Sequence, residues 1–381
     1  MTEHIAIVGG GTGGTVLANT LAEKLGAELD AGEVEITLFN DGSDHVYKPV
    51  WLYVAFGQRD PAAARRPLRE VVDDRVAIRQ TYVTDISQEG NELELADATD
   101  PVAYDKLVVA TGSQLEPDRV PGLVEDGHHF YGEDGARALR DELLPMDGGH
   151  IVLSVVGTPH MCPAAPLEFV FMLDDWLRER GRRDAFDLTY TYPIMRVHGN
   201  EHIAEWARPR LEARDIAIET MFNAEAVDPE TRRLTSMEGT DLDYDLLVAI
   251  PPHTGSDLVE AAGLGDGGWV AVDKHTLEAT GFEDIYAIGD AAQTGVPKAG
   301  SAAHYQANVV ARRLASEVRG QPATAVYDGK TVCFIETGMD DATFVEFDYE
   351  RPPNPSEPTR AMHWSKLAYN ESYWLTARGL L

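Results

Sequence analysis

Apolar residues along this chain gather in short runs, each closed by small or turn-forming residues, and the runs alternate with stretches of helical spacing. His4-Ile-Ala-Ile-Val8 is the first apolar run; the glycine-rich segment Gly9 to Gly14 follows it, and Thr15 to Leu25 reads as a helix. Val34 to Phe39 is the next strand. Later runs end in Ala110-Thr111-Gly112, fill His150 to Val156 and Leu246 to Ile250, and end in Gly289-Asp290. Strands alternating with helices predict an α/β chain built on parallel sheets.

The first glycine segment has the context of a dinucleotide turn. Gly9 makes the tight turn, Gly11 lets backbone approach a pyrophosphate, and Gly14 permits close helix packing; Gly13 lies between them. The helix that follows points its N–H groups and positive dipole end at the same place. The second strand of such a fold usually ends in an acid that binds ribose hydroxyls. Here Asn40 holds the position and Asp41 follows, and either side chain can do the work. In Thr280 to Asp290, Gly289 allows close approach and Asp290 can accept from a ribityl hydroxyl.

Composition narrows the setting. The chain has 381 residues, 44% of them hydrophobic, which suffices for two or three domains. No apolar run reaches the length of a spanning helix. The first strand begins at once, which predicts an intracellular chain without a leader peptide. The net charge is −32, with only 7 Lys against 25 Arg. Such acidity argues against nucleic acid as a partner. It fits a halophilic, high-salt cytoplasm, where screening makes self-repulsion at this charge density tolerable.

There are two cysteines, Cys162 and Cys333. Structural disulfides are rare inside cells, so a redox pair competes with the plainer reading of two unrelated core residues. After the strand His150 to Val156, a nicotinamide-binding domain would show a second glycine turn. The chain instead reads Gly157-Thr-Pro-His-Met-Cys162-Pro-Ala-Ala-Pro-Leu-Glu168. Its prolines remove N–H donors, so this turn is a poor pyrophosphate cradle.

Taken together, these segments resemble the sulfide:quinone oxidoreductases, flavoproteins with two dinucleotide-binding domains. The likeness to two-dinucleotide-domain flavoproteins rests on the three glycine-bearing elements and extends over nearly the whole chain to about residue 320; the narrower resemblance rests on Cys162 to Glu168, Cys333-Phe-Ile-Glu-Thr-Gly338, Pro297-Lys298-Ala-Gly300 and Pro251-Pro252-His253. A third, earlier cysteine found in many members is missing, which argues against a covalent flavin link through that residue. The resemblance implies an α/β fold with two Rossmann-like domains and a small C-terminal region. Residues 1–112 and 240–325 would form the FAD-binding domain, 113–239 a degenerate second domain, and 326–381 a quinone and membrane-contact region.

The resemblance also implies a chemistry. Hydrosulfide attacks a sulfur bridge between Cys162 and Cys333, Cys162 keeps the persulfide, Cys333 attacks flavin C4a, and the electrons pass to a membrane quinone. Glu168 is then a proton shuttle or merely a helix-cap acid. Lys298 lies near flavin N1–C2=O, or is a solvated lysine. His160 and His198 assist proton transfer or are structural. The C-terminal segment carries aromatic residues at helical spacing, which suit a membrane interface or an ordinary docking helix. Phe334, Tyr369, Tyr373 and Trp374 are the candidate quinone wall. The expected setting is peripheral, on the cytoplasmic side of the cell membrane, and a homo-oligomer is compatible with it. The rivals are a type II NADH:quinone dehydrogenase, which requires an intact second glycine turn, an exported flavocytochrome-type sulfide dehydrogenase subunit, and a flavin redox sensor.

Overall fold

The computed structural model describes residues 2–380. Its first sheet is parallel and five-stranded, in the order Ile285–Ala287, Lys106–Val109, Glu3–Val8, Val34–Asn40, Ala77–Gln80. Val8, Val109 and Ala287 lie side by side at the ends of three adjacent strands. The chain therefore delivers its three glycine-bearing turns, after residues 8, 109 and 287, to one crevice. Strand order reverses beside the first strand, which is where open parallel sheets bind ligands. The central strands are apolar on both faces because helices cover one and mainly an antiparallel meander covers the other. Thr12–Lys24 and Gly300–Val318 pack against each other as part of that cover. The first helix starts three residues earlier than its apolar spacing predicts, with Gly11 as its N-cap.

The second sheet repeats the plan. Its order is Gly127–His128, Leu246–Ile250, Gly149–Val155, Phe186–Tyr192, Ala217–Thr220, again parallel throughout. Each sheet is accompanied by a three-stranded antiparallel meander, at Val83–Ser87, Glu92–Leu95 and Val102–Ala103 in one case and at Ala224–Asp228, Arg233–Ser236 and Asp241–Asp243 in the other. This placement corrects one expected boundary. Leu246–Ile250 pairs with Gly149–Val155 and so belongs to the second sheet, not to a first-domain segment starting at 240. All five of its residues are buried, as a strand with a neighbour on each side, helices on one face and chiefly the meander on the other should be.

The last region is a hairpin and a helix. Thr331–Glu336 pairs antiparallel with Ala342–Phe347, setting Cys333 opposite Val345. The helix Arg360–Ala377 is capped by Thr359, whose hydroxyl accepts the N–H of Met362. It lies across both units: Lys366 reaches the second-domain helix Ala165–Glu179, and Tyr373 reaches the first glycine turn. Among the described residues no helix is long and apolar enough to cross a membrane.

Candidate active site

One cavity of about 690 Å³ joins the three turns to both cysteines. That volume is in the range of cofactor sites. The glycines of the first turn are there for space. A Cβ on Gly14 would stand 1.9 Å from the carbonyl oxygen of Gly9, and Gly9 itself has φ +113 with Ala110 O only 2.3 Å from where its Cβ would be. A Cβ on Gly11 would meet no protein atom within 4 Å and would project into the cavity. Gly13 lines the same wall, and Gly112 and Gly289 turn with positive φ. The helices Thr12–Lys24 and Gly300–Val318 both begin at the cavity, so two sets of free N–H groups face it. Thr111 Oγ1 is buried at the cavity wall without a protein partner. These features fit a bound dinucleotide such as FAD.

The two ribose candidates differ in their commitments. Asn40 accepts the N–H of Gly10 at 2.8 Å and donates to Gly42 O at 2.8 Å, so both ends of its amide brace the turn. Asp41 accepts only the N–H of Gly42 and also lines the cavity. Asp290 Oδ2 accepts from Ser113 at 3.2 Å. Lys298 is folded inward: Nζ donates to Asp290 O at 2.5 Å and lies 3.5 Å from the centre of the Trp269 ring. Burial lowers its pKa to about 8.

Cys162 sits in the left-handed region at φ +43, just before the helix Ala165–Glu179. Its N–H donates to Lys298 O at 2.7 Å, and its carbonyl accepts from Ala165. Both thiols are free, partly buried and on the cavity wall. Burial first, then Glu168 and Cys333, push the Cys162 thiol well above its ordinary range, against the pull of Lys366. Burial and Glu168 push Cys333 up to about 12. Each thiol therefore holds its proton firmly.

Beside the thiols lies a buried charged cluster that sequence reasoning only touched. Glu168 pairs with Lys366, and its Oε1 also accepts the N–H of Glu336 at 2.9 Å. Glu336 Oε1 lies 3.8 Å from Lys366 Nζ and accepts from Tyr53 OH at 2.8 Å. Its Oε2 lies 3.0 Å from His363 Nδ1. Burial raises the pKa of Glu168, whereas Lys366 is held charged by Glu168, Tyr53 and Glu336 although burial opposes it. Glu168 is thus an internal acid beside the cysteines and not a surface helix cap.

Around Cys162 the second-domain crevice is filled with rings. Tyr131 stands edge-on to His253 at 5.3 Å between centroids, and His253 is 6.1 Å from His160. His160, His198 and His253 each bury Nε2 without a protein partner. Burial lowers the first two to about 4 and the third to about 3.

The expected quinone wall divides. Phe334 and Tyr369 line the cavity with ring centroids 5.9 Å apart. Tyr373 also reaches it, but its hydroxyl is held by Thr12 at 2.9 Å and His45 at 2.7 Å, and its ring stacks on Tyr47 at 3.8 Å. Trp374 is the exception: it lies off the cavity wall, packed in the first-domain core beneath the Arg66 guanidinium at 4.7 Å. The most exposed aromatic residue of this helix is Trp364, 67% accessible, ahead of Tyr369 at 38%.

Residues 3–158 and 188–307 match the family described as pyridine nucleotide-disulphide oxidoreductase. Over 368 residues the chain is 23% identical to the mitochondrial sulfide:quinone oxidoreductase of Mus musculus, covering 93% of this chain and 80% of that one. It is 26% identical to the mitochondrial sulfide:quinone oxidoreductase of Dictyostelium discoideum, covering 97% and 84%. The X-ray structure of the sulfide:quinone oxidoreductase from Aquifex aeolicus superposes with a TM-score of 0.86 at 20% identity, covering 99% of this chain and 92% of that one.

Proposed function

Since the chain belongs to the pyridine nucleotide-disulphide oxidoreductase family, with a match spanning well over half its length, we propose that it is a peripheral sulfide:quinone oxidoreductase. The observation that carries this reading is the sharing of one cavity by Cys162, Cys333 and the three glycine-bearing turns. FAD, held by the first turn, Ala110 to Gly112 and Gly289-Asp290, would supply two-electron transfer between sulfur and quinone. The relatives named for sulfide:quinone oxidoreduction support the same assignment.

The protein's own groups then have defined tasks. In the oxidised pair, hydrosulfide attacks one sulfur; a new S–S bond forms on Cys162 as the bond to Cys333 breaks and leaves a thiolate. The persulfide loses its proton, and the two sulfur anions rejoin as a trisulfide, giving up two electrons. Further rounds lengthen the chain, which leaves as polysulfide or sulfur. Lys366 offsets thiolate charge, Glu168 takes the proton, and Lys298 offsets negative charge beside Asp290. Phe334 and Tyr369 wall the quinone, and Trp364 contacts the membrane from the cytoplasmic side.

The test is anaerobic flavin absorbance of the FAD-loaded protein. Sulfide should bleach it, a quinone analogue should restore it, and NADH should leave it unchanged. Bleaching by NADH and not by sulfide would replace this reading with an NADH dehydrogenase.

A further inference from the structure

The overall reaction, resting on the proposed function, has a proton deficit. Hydrosulfide and quinone give sulfur and quinol only if one further proton is taken up: HS− + Q + H+ → S + QH2. The quinol needs two protons, and the substrate brings one. The site therefore needs a source for that further proton.

We infer that Glu336 and His363 form an inlet for this proton, handing it through Lys366 to Glu168 and the cavity. Three observations carry it. First, the groups stand in series: His363 Nδ1 to Glu336 Oε2 is 3.0 Å, within hydrogen-bond reach, Glu336 Oε1 to Lys366 Nζ is 3.8 Å, an ion-pair distance that a small swing of the lysine closes, and Lys366 is paired with Glu168. Second, all are largely buried, but they face different ways: Glu168 and Lys366 line the cavity beside the cysteines, Glu336 is fully buried behind them, and His363 lies off the cavity wall, next to the solvent-facing Trp364. Third, the inner end lies between donor and acceptor. Lys366 is three residues before Tyr369 on one helix, so both face the same way, toward the wall that Phe334 shares.

The charges make such a conduit workable. Two carboxyl groups face one ammonium, and burial raises the pKa of Glu168, so a proton is more readily held on the carboxyl side. Tyr53 fixes Glu336 by donating to Oε1, which leaves Oε2 for the imidazole. Passage of one proton inward moves it from His363 to Glu336 and on to the quinone oxygen by way of Lys366 and Glu168; His363 is reprotonated by solvent. No bond other than those to hydrogen is made or broken.

Stopped-flow absorbance on the FAD-loaded protein separates the two half-reactions. Glu336→Gln and His363→Ala should bleach with sulfide within about twofold of the unmodified protein. Their reoxidation by a short-chain benzoquinone should slow at least about tenfold, a loss in the range general acid–base groups supply. The solvent deuterium isotope effect on reoxidation should increase, and added imidazole should restore much of the rate in His363→Ala but not in Glu336→Gln. Reoxidation at the unmodified rate in both variants overturns the inlet. Equal slowing of both half-reactions, without imidazole rescue, overturns it too, since that is what a disturbed cavity would give. Should Glu336→Gln fail to fold, His363→Ala with and without imidazole decides alone. If sulfide does not bleach the unmodified protein, the functional reading falls and the inlet with it; if it does, the inlet stands or falls by itself.

Discussion

The amide of Cys162 donates to the backbone carbonyl of Lys298 at 2.7 Å, so the turn that carries the thiol is fastened to the segment that carries the Gly-Asp end of the flavin site. The two come from different sheets. This bond sets the height of the sulfur above the first-domain crevice and holds Cys162 in its left-handed conformation.

Both thiols are expected to be indispensable. Cys162→Ser and Cys333→Ser should each lower sulfide-dependent quinone reduction by at least about a thousandfold, as loss of a nucleophile does. FAD should stay bound, since neither side chain belongs to the glycine turns. Turnover assays with flavin content measured on the same sample check this, and normal turnover by Cys333→Ser would remove it from the redox pair.

Replacing Lys298 by Met should lower the flavin potential. The lost charge–dipole interaction is worth about 1.5–3 kcal/mol, or roughly 30–60 mV for a two-electron couple. Burial has already brought this ammonium down to about 8, so in the unmodified protein the potential should drop more steeply with pH above about 8. Spectroelectrochemical titration at several pH values reads both effects; a potential unmoved by the substitution would place the lysine outside the flavin's field.

Stability should fall steeply in mild acid. His45, His160 and His198 are lowered to about 4 and His253 to about 3 by burial, from an ordinary value of 6.5. The unfolded chain takes up these protons below about pH 6.5 and the folded chain does not until pH 4 or lower. Folding is therefore unimpaired above about 6.5 and loses roughly 1.4 kcal/mol per pH unit for each imidazole as pH falls toward 4. Melting temperature from pH 8 to 4.5 should show the loss; a flat profile would mean these rings are protonated in the native state.

Removing one hydroxyl should loosen the C-terminal helix. Tyr373→Phe leaves the ring stack on Tyr47 but takes away the partner of both Thr12 and His45. The expected cost is about 1–2 kcal/mol, together with faster release of FAD, because Thr12 opens the helix behind the glycine turn. Differential scanning fluorimetry and flavin fluorescence on dilution measure the two. Unchanged FAD release would separate this contact from cofactor retention.

Much of the first domain was legible because glycine and strand patterning are local signals. Gly9, Gly14 and Gly289 each occupy a backbone position that a side chain would crowd or strain, Gly11 keeps the cavity clear, and such positions show in the residue type itself. The boundary near 240 was not legible. Leu246 to Ile250 is equally apolar whichever sheet it joins, and only its pairing with Gly149–Val155 decides. Trp374 was misjudged for a related reason: its spacing gives a helix but not which neighbour covers which face. Lys366 is one of only seven lysines and follows the cysteine motif, a scarcity signal that was available. Glu336 lies inside the motif around Cys333. His363 had no signal, since its role depends on a contact with Glu336 across two elements.

The helix Arg360–Ala377 also bears on how the protein is made. Asn19 donates to Ala377 O at 2.6 Å, and Tyr373 reaches Thr12, so contacts more than 350 residues apart in sequence close the first glycine turn. A ribosome delivers that turn more than 350 residues before its cover. During synthesis the nascent first domain must therefore wait with its cofactor crevice uncovered, and secure flavin loading has to await the making of this helix.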